Sequence, residues 1–165
     1  MHEPTALPRL QRVANTAMAA CLAVMAGSVF LNVVLRYGFG SGVAASEELS
    51  RLLFVWMVFI GATAAYPLGE HMAFTSLLRP LRESRWLPWV SRLIHVLVIA
   101  AAGLVAWGAW QQVVVGMDSR SVVLAYPTAL LPLPAFLSML AIAVMALVDL
   151  LRGKPVDFGH EAEME

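Results

Sequence analysis

Residues 32–71 decide the fold, and they read NVVLRYGFGSGVAASEELSRLLFVWMVFIGATAAYPLGEH. One apolar segment ends at Leu35, a short polar passage follows, and a second apolar segment runs from Leu52 to Gly69. The charged residues lie at the ends of the two segments and none lies within them. Charges held at the water boundary are typical of two membrane-spanning helices joined by a short loop.

The composition of the whole chain also indicates a membrane protein. Of its 165 residues, 60% are hydrophobic and 13% are charged, whereas an average soluble domain is about 25% charged. The formal net charge is zero, which argues against nucleic acid as a partner. The single cysteine, Cys21, excludes an internal disulfide. The lipid bilayer is therefore the expected surrounding of this chain.

Four segments are close to or above the length of about 20 apolar residues that crosses a bilayer. They are Val13–Leu35, Leu52–Gly69, Leu93–Met117 and Ser121–Val148. The fourth helix is expected to begin near Pro132 or Leu133, because proline is tolerated in a first turn and not deeper. We therefore predict an all-α integral membrane protein with four transmembrane helices.

The first segment is expected to be a retained helix. Arg9 and Arg12 precede it, as basic residues precede the apolar part of a signal peptide. That part is normally about 7–15 residues long, and this segment is longer and continues into bulky side chains. The chain then divides into a cytoplasmic lead (1–12), a four-helix transmembrane domain (13–151) and an acidic cytoplasmic tail (152–165).

The positions of lysine and arginine predict the orientation in the membrane. Eight of them lie before the first helix, between the second and third, or after the fourth, namely Arg9, Arg12, Arg79, Arg82, Arg85, Arg92, Arg152 and Lys154. Three lie in the other two connections, namely Arg36, Arg51 and Arg120. Both termini are therefore expected in the cytoplasm of a bacterium, with residues 36–51 and 118–131 on the periplasmic side of the inner membrane.

The connection between the second and third helices has an amphipathic pattern. Its apolar residues share one helical face, namely Phe74, Leu77, Leu78 and Leu81. Trp86 and Trp89 suit the headgroup region, and Pro80 interrupts the helix. We predict that residues 72–89 lie along the cytoplasmic face of the membrane.

The loop between the first two helices gathers four charges. Ser46 is a suitable N-cap for the second helix, which places Glu47 and Glu48 in its first turn. Arg51 lies within pairing distance of both acids, and Arg36 returns to the same membrane level. We predict that the four charges neutralise one another, fix the geometry of the two helices and offer contacts to a neighbouring subunit.

Two further patterns indicate helix packing. Ser28, Asn32 and Arg36 form a polar stripe at four-residue spacing, which is expected to face protein because a lipid-facing asparagine is costly. Gly61 and Ala65 form a pair of small residues that allows close helix approach.

The sequence contains no recognisable motif for catalysis or cofactor binding. It contains no phosphate-binding glycine loop, cysteine cluster or nucleophile motif, and we predict no catalytic, metal or cofactor residue. One alternative is open: His71 and His95 could lie at one level and bind a haem. The chain would then be a membrane haem-binding or assembly subunit of another inner-membrane complex.

The chain resembles the small membrane (permease) subunit of tripartite ATP-independent periplasmic (TRAP) transporters. The motifs that carry the resemblance are Asn32-x-x-x-Arg36-Tyr37, Ser46-Glu47-Glu48-Leu49, Arg51, Leu-Phe-Val-Trp56, Gly61 and Gly69-Glu70-His71. The resemblance covers about residues 10–150. Ala45 departs from it, because the family usually has tryptophan just before the Ser-Glu pair.

The resemblance implies a function and partners. It implies a non-enzymatic scaffold for a large multi-spanning permease subunit, in the sodium- or proton-driven uptake of an organic acid that a soluble periplasmic binding protein delivers. The residues expected at subunit interfaces or in structural roles are Asn32, Arg36, Glu47, Glu48, Arg51, Trp56, Gly61, Glu70 and His71.

Overall fold

The computed structural model describes residues 7–40, 42–68 and 87–153. These residues form four helices that are long and apolar enough to cross a membrane, which confirms the predicted number. The helices are α1 (Leu7–Phe39), α2 (Ala44–Ala65), α3 (Leu87–Met117) and α4 (Leu133–Arg152). Short 3-10 helices follow α2 at Tyr66–Leu68 and precede α4 at Thr128–Leu130.

Three of the helices extend beyond the apolar segments that predicted them. α1 begins at Leu7, before the predicted segment that starts at Val13, and α3 begins at Leu87, before the segment that starts at Leu93. α2 begins at Ala44, before the segment that starts at Leu52. Polar side chains at a membrane boundary reach water while their backbone stays helical, so hydropathy alone places the start of a helix too late in the sequence. α4 begins at Leu133, as proline chemistry predicted.

The helices are arranged in the order α1, α2, α4, α3. Their extensive contacts join α1 to α2, α2 to α4, and α4 to α3. α2 therefore lies between the first helix and the α3–α4 pair. Within the described residues, α2 therefore supplies the main contact between α1 and the α3–α4 pair.

Small side chains line the contact between α3 and α4. The buried residues include Ala102, Ala106, Ala109 and Val113 on α3, and Ser138, Ile142 and Ala146 on α4. Small residues let helix backbones approach closely in a membrane, where packing replaces the hydrophobic effect. The Trp110 and Phe136 rings lie 5.2 Å apart beside this contact.

α1 contacts α2 along one face, and no described residue on that face is fully buried. The half-buried positions follow a spacing of three and four, namely Ala14, Met18, Cys21, Met25, Ser28, Asn32 and Leu35. A spacing of this kind keeps one face of a helix against its neighbour. Ala19, Ala23 and Gly27, three small residues at four-residue spacing, lie on the exposed side of α1.

Several predictions fall outside the described residues. These are the placements of Glu70 and His71, the acidic tail from Lys154, and the interfacial segment 72–89 except for its last three residues. Those three residues, 87–89, begin α3.

Candidate functional site

The connection between α3 and α4 folds into a small hairpin. Arg120 and Pro127 form an antiparallel bridge. The Ser121 N–H donates to the Tyr126 carbonyl at 2.9 Å, and the Thr128 N–H donates to the Ser119 carbonyl at 3.0 Å. We refer to residues 119–128 as the periplasmic-loop hairpin, after its predicted side, and to residues 122–124 as its tip. The chain just before α4 is thus folded back on itself.

The turn of this hairpin includes a residue in the left-handed region. Ala125 has a φ of 54°, which is uncommon for a residue other than glycine. The Arg120 guanidinium donates to the Ala125 carbonyl at 3.1 Å. This bond and the backbone pairs hold the turn closed.

Glu48 of α2 binds the tip of the hairpin. Its carboxylate accepts hydrogen bonds from the Ser121 hydroxyl and from two successive backbone N–H groups, Val123 at 3.3 Å and Leu124 at 2.8 Å. A hydrogen bond to a charged group contributes about 1.5–3 kcal/mol. The three bonds make Glu48 the main polar link between α2 and the hairpin.

The predicted neutral group of four charges does not form. Arg36, Glu47 and Arg51 are exposed, and within the described part of the chain no ion pair joins them to Glu48. The physical reason is that a carboxylate can accept several bonds from a turn that presents consecutive N–H groups, whereas the arginines reach water at little cost. Glu48 is thereby separated from Glu47, its neighbour of the same charge.

The N-terminus of α2 is set by Asn32 and not by Ser46. The Asn32 side-chain oxygen accepts a 2.6 Å hydrogen bond from the Val43 N–H. Val43 is extended and α2 starts immediately after it, without a side-chain cap. The predicted Ser46 cap is therefore wrong: Ser46 lies inside the first turn and is only 7% exposed. The expectation that the polar stripe faces protein is confirmed for Ser28 and Asn32, which are half-buried, and is wrong for Arg36, which is exposed.

Gly42 lies beside Asn32 and Arg36 in the loop that Asn32 holds. A Cβ atom added to Gly42 would lie 3.4 Å from the Asn32 oxygen and 4.0 Å from Cδ of Arg36. The loop therefore lies directly against the last turns of α1. This contact explains why α1 and α2 can be joined by so few residues.

Two more side chains of α2 bind the α4 side of the structure. The Trp56 indole N–H donates to the Leu130 carbonyl at 3.1 Å, and the hydroxyls of Thr63 and Ser138 lie 2.8 Å apart. Glu48, Trp56 and Thr63 are spaced by about two turns each, so all three project from one side of α2. Trp56, a sequence candidate, thus acts as an anchor to the 3-10 turn before α4.

Two glycines permit close contacts. A Cβ atom added to Gly116 would lie 2.5 Å from the Ala129 nitrogen, and the Thr128 hydroxyl donates to the Gly116 carbonyl at 3.2 Å. A Cβ atom on Gly61 would lie 3.2 Å from the Met18 sulfur. Gly61 was expected from its spacing, whereas Gly116 was missed because its partner is backbone and leaves no pattern in the sequence.

The region at the start of α3 bears on the haem alternative. His95 is buried, and its Nδ1 lies 2.7 Å from the Ser91 carbonyl, so one of its ring nitrogens is engaged by the backbone of its own helix. Among the described residues no group of three or more His, Cys, Asp or Glu side chains could hold a metal ion. His71, the proposed second ligand, lies outside them.

Comparison with known proteins decides the family. The family described as "Tripartite ATP-independent periplasmic transporters, DctQ component" matches residues 25–154. The chain belongs to this family. Its four described helices are those of a multi-pass membrane protein, in agreement with this family. The description of the family names a tripartite transporter.

Individual relatives agree with this assignment. Two proteins of Haemophilus influenzae (strain ATCC 51907 / DSM 11121 / KW20 / Rd) are each named "Putative TRAP transporter small permease protein". One is 52% identical over 36% of this chain and 37% of its own length, and the other is 36% identical over 54% of each. The chain thus aligns with about a third to a half of these relatives. No solved structure matches it.

Proposed function

We propose that this DctQ component is the stationary scaffold of a bacterial inner-membrane transporter. It supports a large multi-spanning permease subunit, which takes up an organic acid delivered by a soluble periplasmic binding protein. A sodium or proton gradient drives the uptake. The observation that carries the proposal, beyond the family itself, is the set of three side-chain links by which α2 fixes the α4 side of the chain.

The composition of the spans supports a role without ion coupling. Between their boundary charges the four described helices hold no aspartate, glutamate, lysine or arginine, and His95 is the one histidine. Coupled carriers mark their ion paths with ionisable side chains inside the membrane. His95 lies near the start of α3 and its Nδ1 is bound to the backbone. The transport step therefore belongs to another subunit.

The orientation follows from the basic residues. Both termini lie in the cytoplasm, and the periplasmic-loop hairpin and the Glu48 end of α2 face the periplasm. In this orientation Arg36, Glu47 and Arg51 are exposed where a binding protein approaches.

Co-purification tests the proposal. The chain is tagged at its C-terminus in its native host and purified from membranes in mild detergent. We expect a large multi-spanning protein to co-purify in a fixed ratio, and to be lost only when the detergent dissociates membrane complexes. Purification of the chain without any such partner, at full yield and from membranes that show uptake, would contradict the scaffold role.

A further inference from the structure

The tip of the periplasmic-loop hairpin exposes three consecutive apolar side chains. Val122 is 97% exposed, Val123 48% and Leu124 40%. They lie outside the four helices, so the bilayer core does not explain them. An apolar group of this kind at a fixed surface position usually marks a contact with another molecule.

The same tip is held in one conformation. Glu48 binds the Ser121 hydroxyl and the N–H groups of Val123 and Leu124, and Arg120 closes the turn at Ala125. A surface that is ordered before binding loses less conformational entropy on binding. Lipid does not require such order, whereas a complementary protein surface does.

The tip lies within reach of a membrane neighbour. Glu48 precedes Leu52, where the apolar part of α2 begins, by one helical turn or about 6 Å. The tip that Glu48 holds is therefore near the outer boundary of the membrane. A subunit that spans the membrane beside this chain presents surface at that level.

The absence of charge at the tip indicates which kind of partner it fits. Residues 121–127 carry no charge, so the tip is complementary to an uncharged, apolar surface. A soluble binding protein that leaves after each cycle would return these side chains to water, and transient interfaces are less apolar than permanent ones. A permanent neighbour keeps them covered.

Resting on the proposed function, we infer that residues 122–124 form a docking surface for the large permease subunit, and that Glu48 is the positioning residue that presents it. Glu48 acts through the hairpin and does not itself touch the partner. Ser121 has the same role through its bond to Glu48.

Site-specific photo-crosslinking tests the inference in the intact complex. Val122 is replaced by p-benzoylphenylalanine in the tagged chain, and membranes are illuminated before purification. We expect a cross-link to the large subunit, reduced about tenfold by Glu48→Ala, less by Ser121→Ala, and unchanged by Glu47→Ala. A factor of ten corresponds to about one hydrogen bond to a charged group. Cross-links only to lipid or to the binding protein, or a signal that Glu48→Ala leaves intact, would overturn the inference.

A second variant keeps the test independent of folding. Val122→Asp changes a side chain that is almost fully exposed, so the fold is not disturbed, and we expect about tenfold less co-purified large subunit. Val122→Ser is the uncharged control and has a smaller effect. Undiminished co-purification of Val122→Asp would refute the docking surface. If the parent chain captures no large subunit at all, the proposed function is wrong. If the parent chain captures the large subunit and substitutions at position 122 do not change the amount captured, only the inferred docking surface is wrong.

Discussion

Glu47 and Glu48 are adjacent residues of the same type with different surroundings. Glu47 is exposed and has no ion pair within the described residues, whereas Glu48 accepts three hydrogen bonds from the hairpin. The pair therefore provides its own control. Replacing either glutamate removes one negative charge, so an effect of net charge should appear in both variants. An effect that depends on the bonds to the hairpin should appear only when Glu48 is replaced.

We predict that Glu48→Ala loosens the hairpin and that Glu47→Ala does not. Loss of the carboxylate leaves the Val123 and Leu124 N–H groups without their acceptor, which costs about 1.5–3 kcal/mol per bond to the charged group. Hydrogen exchange of a peptide covering 118–131, measured in nanodiscs, should be faster in Glu48→Ala, intermediate in Glu48→Gln, and unchanged in Glu47→Ala. Equal exchange in all four proteins would show that the hairpin is held by its own turn alone.

Gly116 is predicted to be indispensable at its position. A methyl group there meets the Ala129 backbone, which cannot move without displacing the start of α4. Gly116→Ala should lower the stability by about 1–3 kcal/mol, measured as a lower Tm in detergent. Gly103→Ala on the same helix is the control, because its added Cβ atom meets nothing within 4 Å and alanine favours a helix. A Tm loss that is the same for both variants would contradict the close contact.

At the scale of elements, α2 is the helix that joins the two halves of the chain. It contacts α1 along one side and α4 along another, and on the α4 side it supplies Glu48, Trp56 and Thr63 as hydrogen-bonding residues. On the α1 side the described side-chain link is the Asn32 bond to the loop. Polar links inside a membrane hold helices in register while apolar packing supplies the contact area.

Trp56→Phe tests one of these links without removing the ring. The variant keeps most of the packing and loses the indole N–H that donates to Leu130, so we expect a loss of about 0.5–1.5 kcal/mol. Trp107→Phe, at a position that is 65% exposed, is the matched control. Thermal unfolding of the isolated chain in detergent should show a lower Tm for Trp56→Phe only. A larger decrease in Tm for Trp107→Phe than for Trp56→Phe would contradict the role of Trp56 as an anchor.

Hydropathy predicted the four helices, because a helix that crosses the bilayer needs a long apolar run. Proline chemistry predicted the start of α4, because proline is tolerated at few positions of a helix. The partners of Glu48 could not be predicted in this way. They lie 73–76 residues further along the chain, and two of the three are backbone N–H groups that any residue carries. The Ser46 cap failed for a similar reason, since Asn32 binds the backbone of Val43 and moves the helix start.

At the scale of the whole molecule, the orientation in the membrane follows from eight basic residues on one side against three on the other. We predict that both termini are cytoplasmic. In a background without Cys21, cysteine at Glu47 should react with an impermeant thiol reagent in intact cells, and cysteine at Arg9 only after permeabilisation. Both positions are exposed and helical, so neither substitution requires a special backbone conformation. The reverse pattern of labelling would invert the topology.

The central claim is that this chain is a scaffold and does not carry substrate by itself. Uptake of a labelled organic acid into proteoliposomes with imposed sodium and proton gradients tests it most directly, with the chain reconstituted alone and together with its large subunit and binding protein. We predict uptake by the complete assembly, and none above the level of empty vesicles by the chain alone, because between their boundary charges the described helices hold no acidic or basic side chain besides His95. Gradient-dependent uptake by the chain alone would contradict the account.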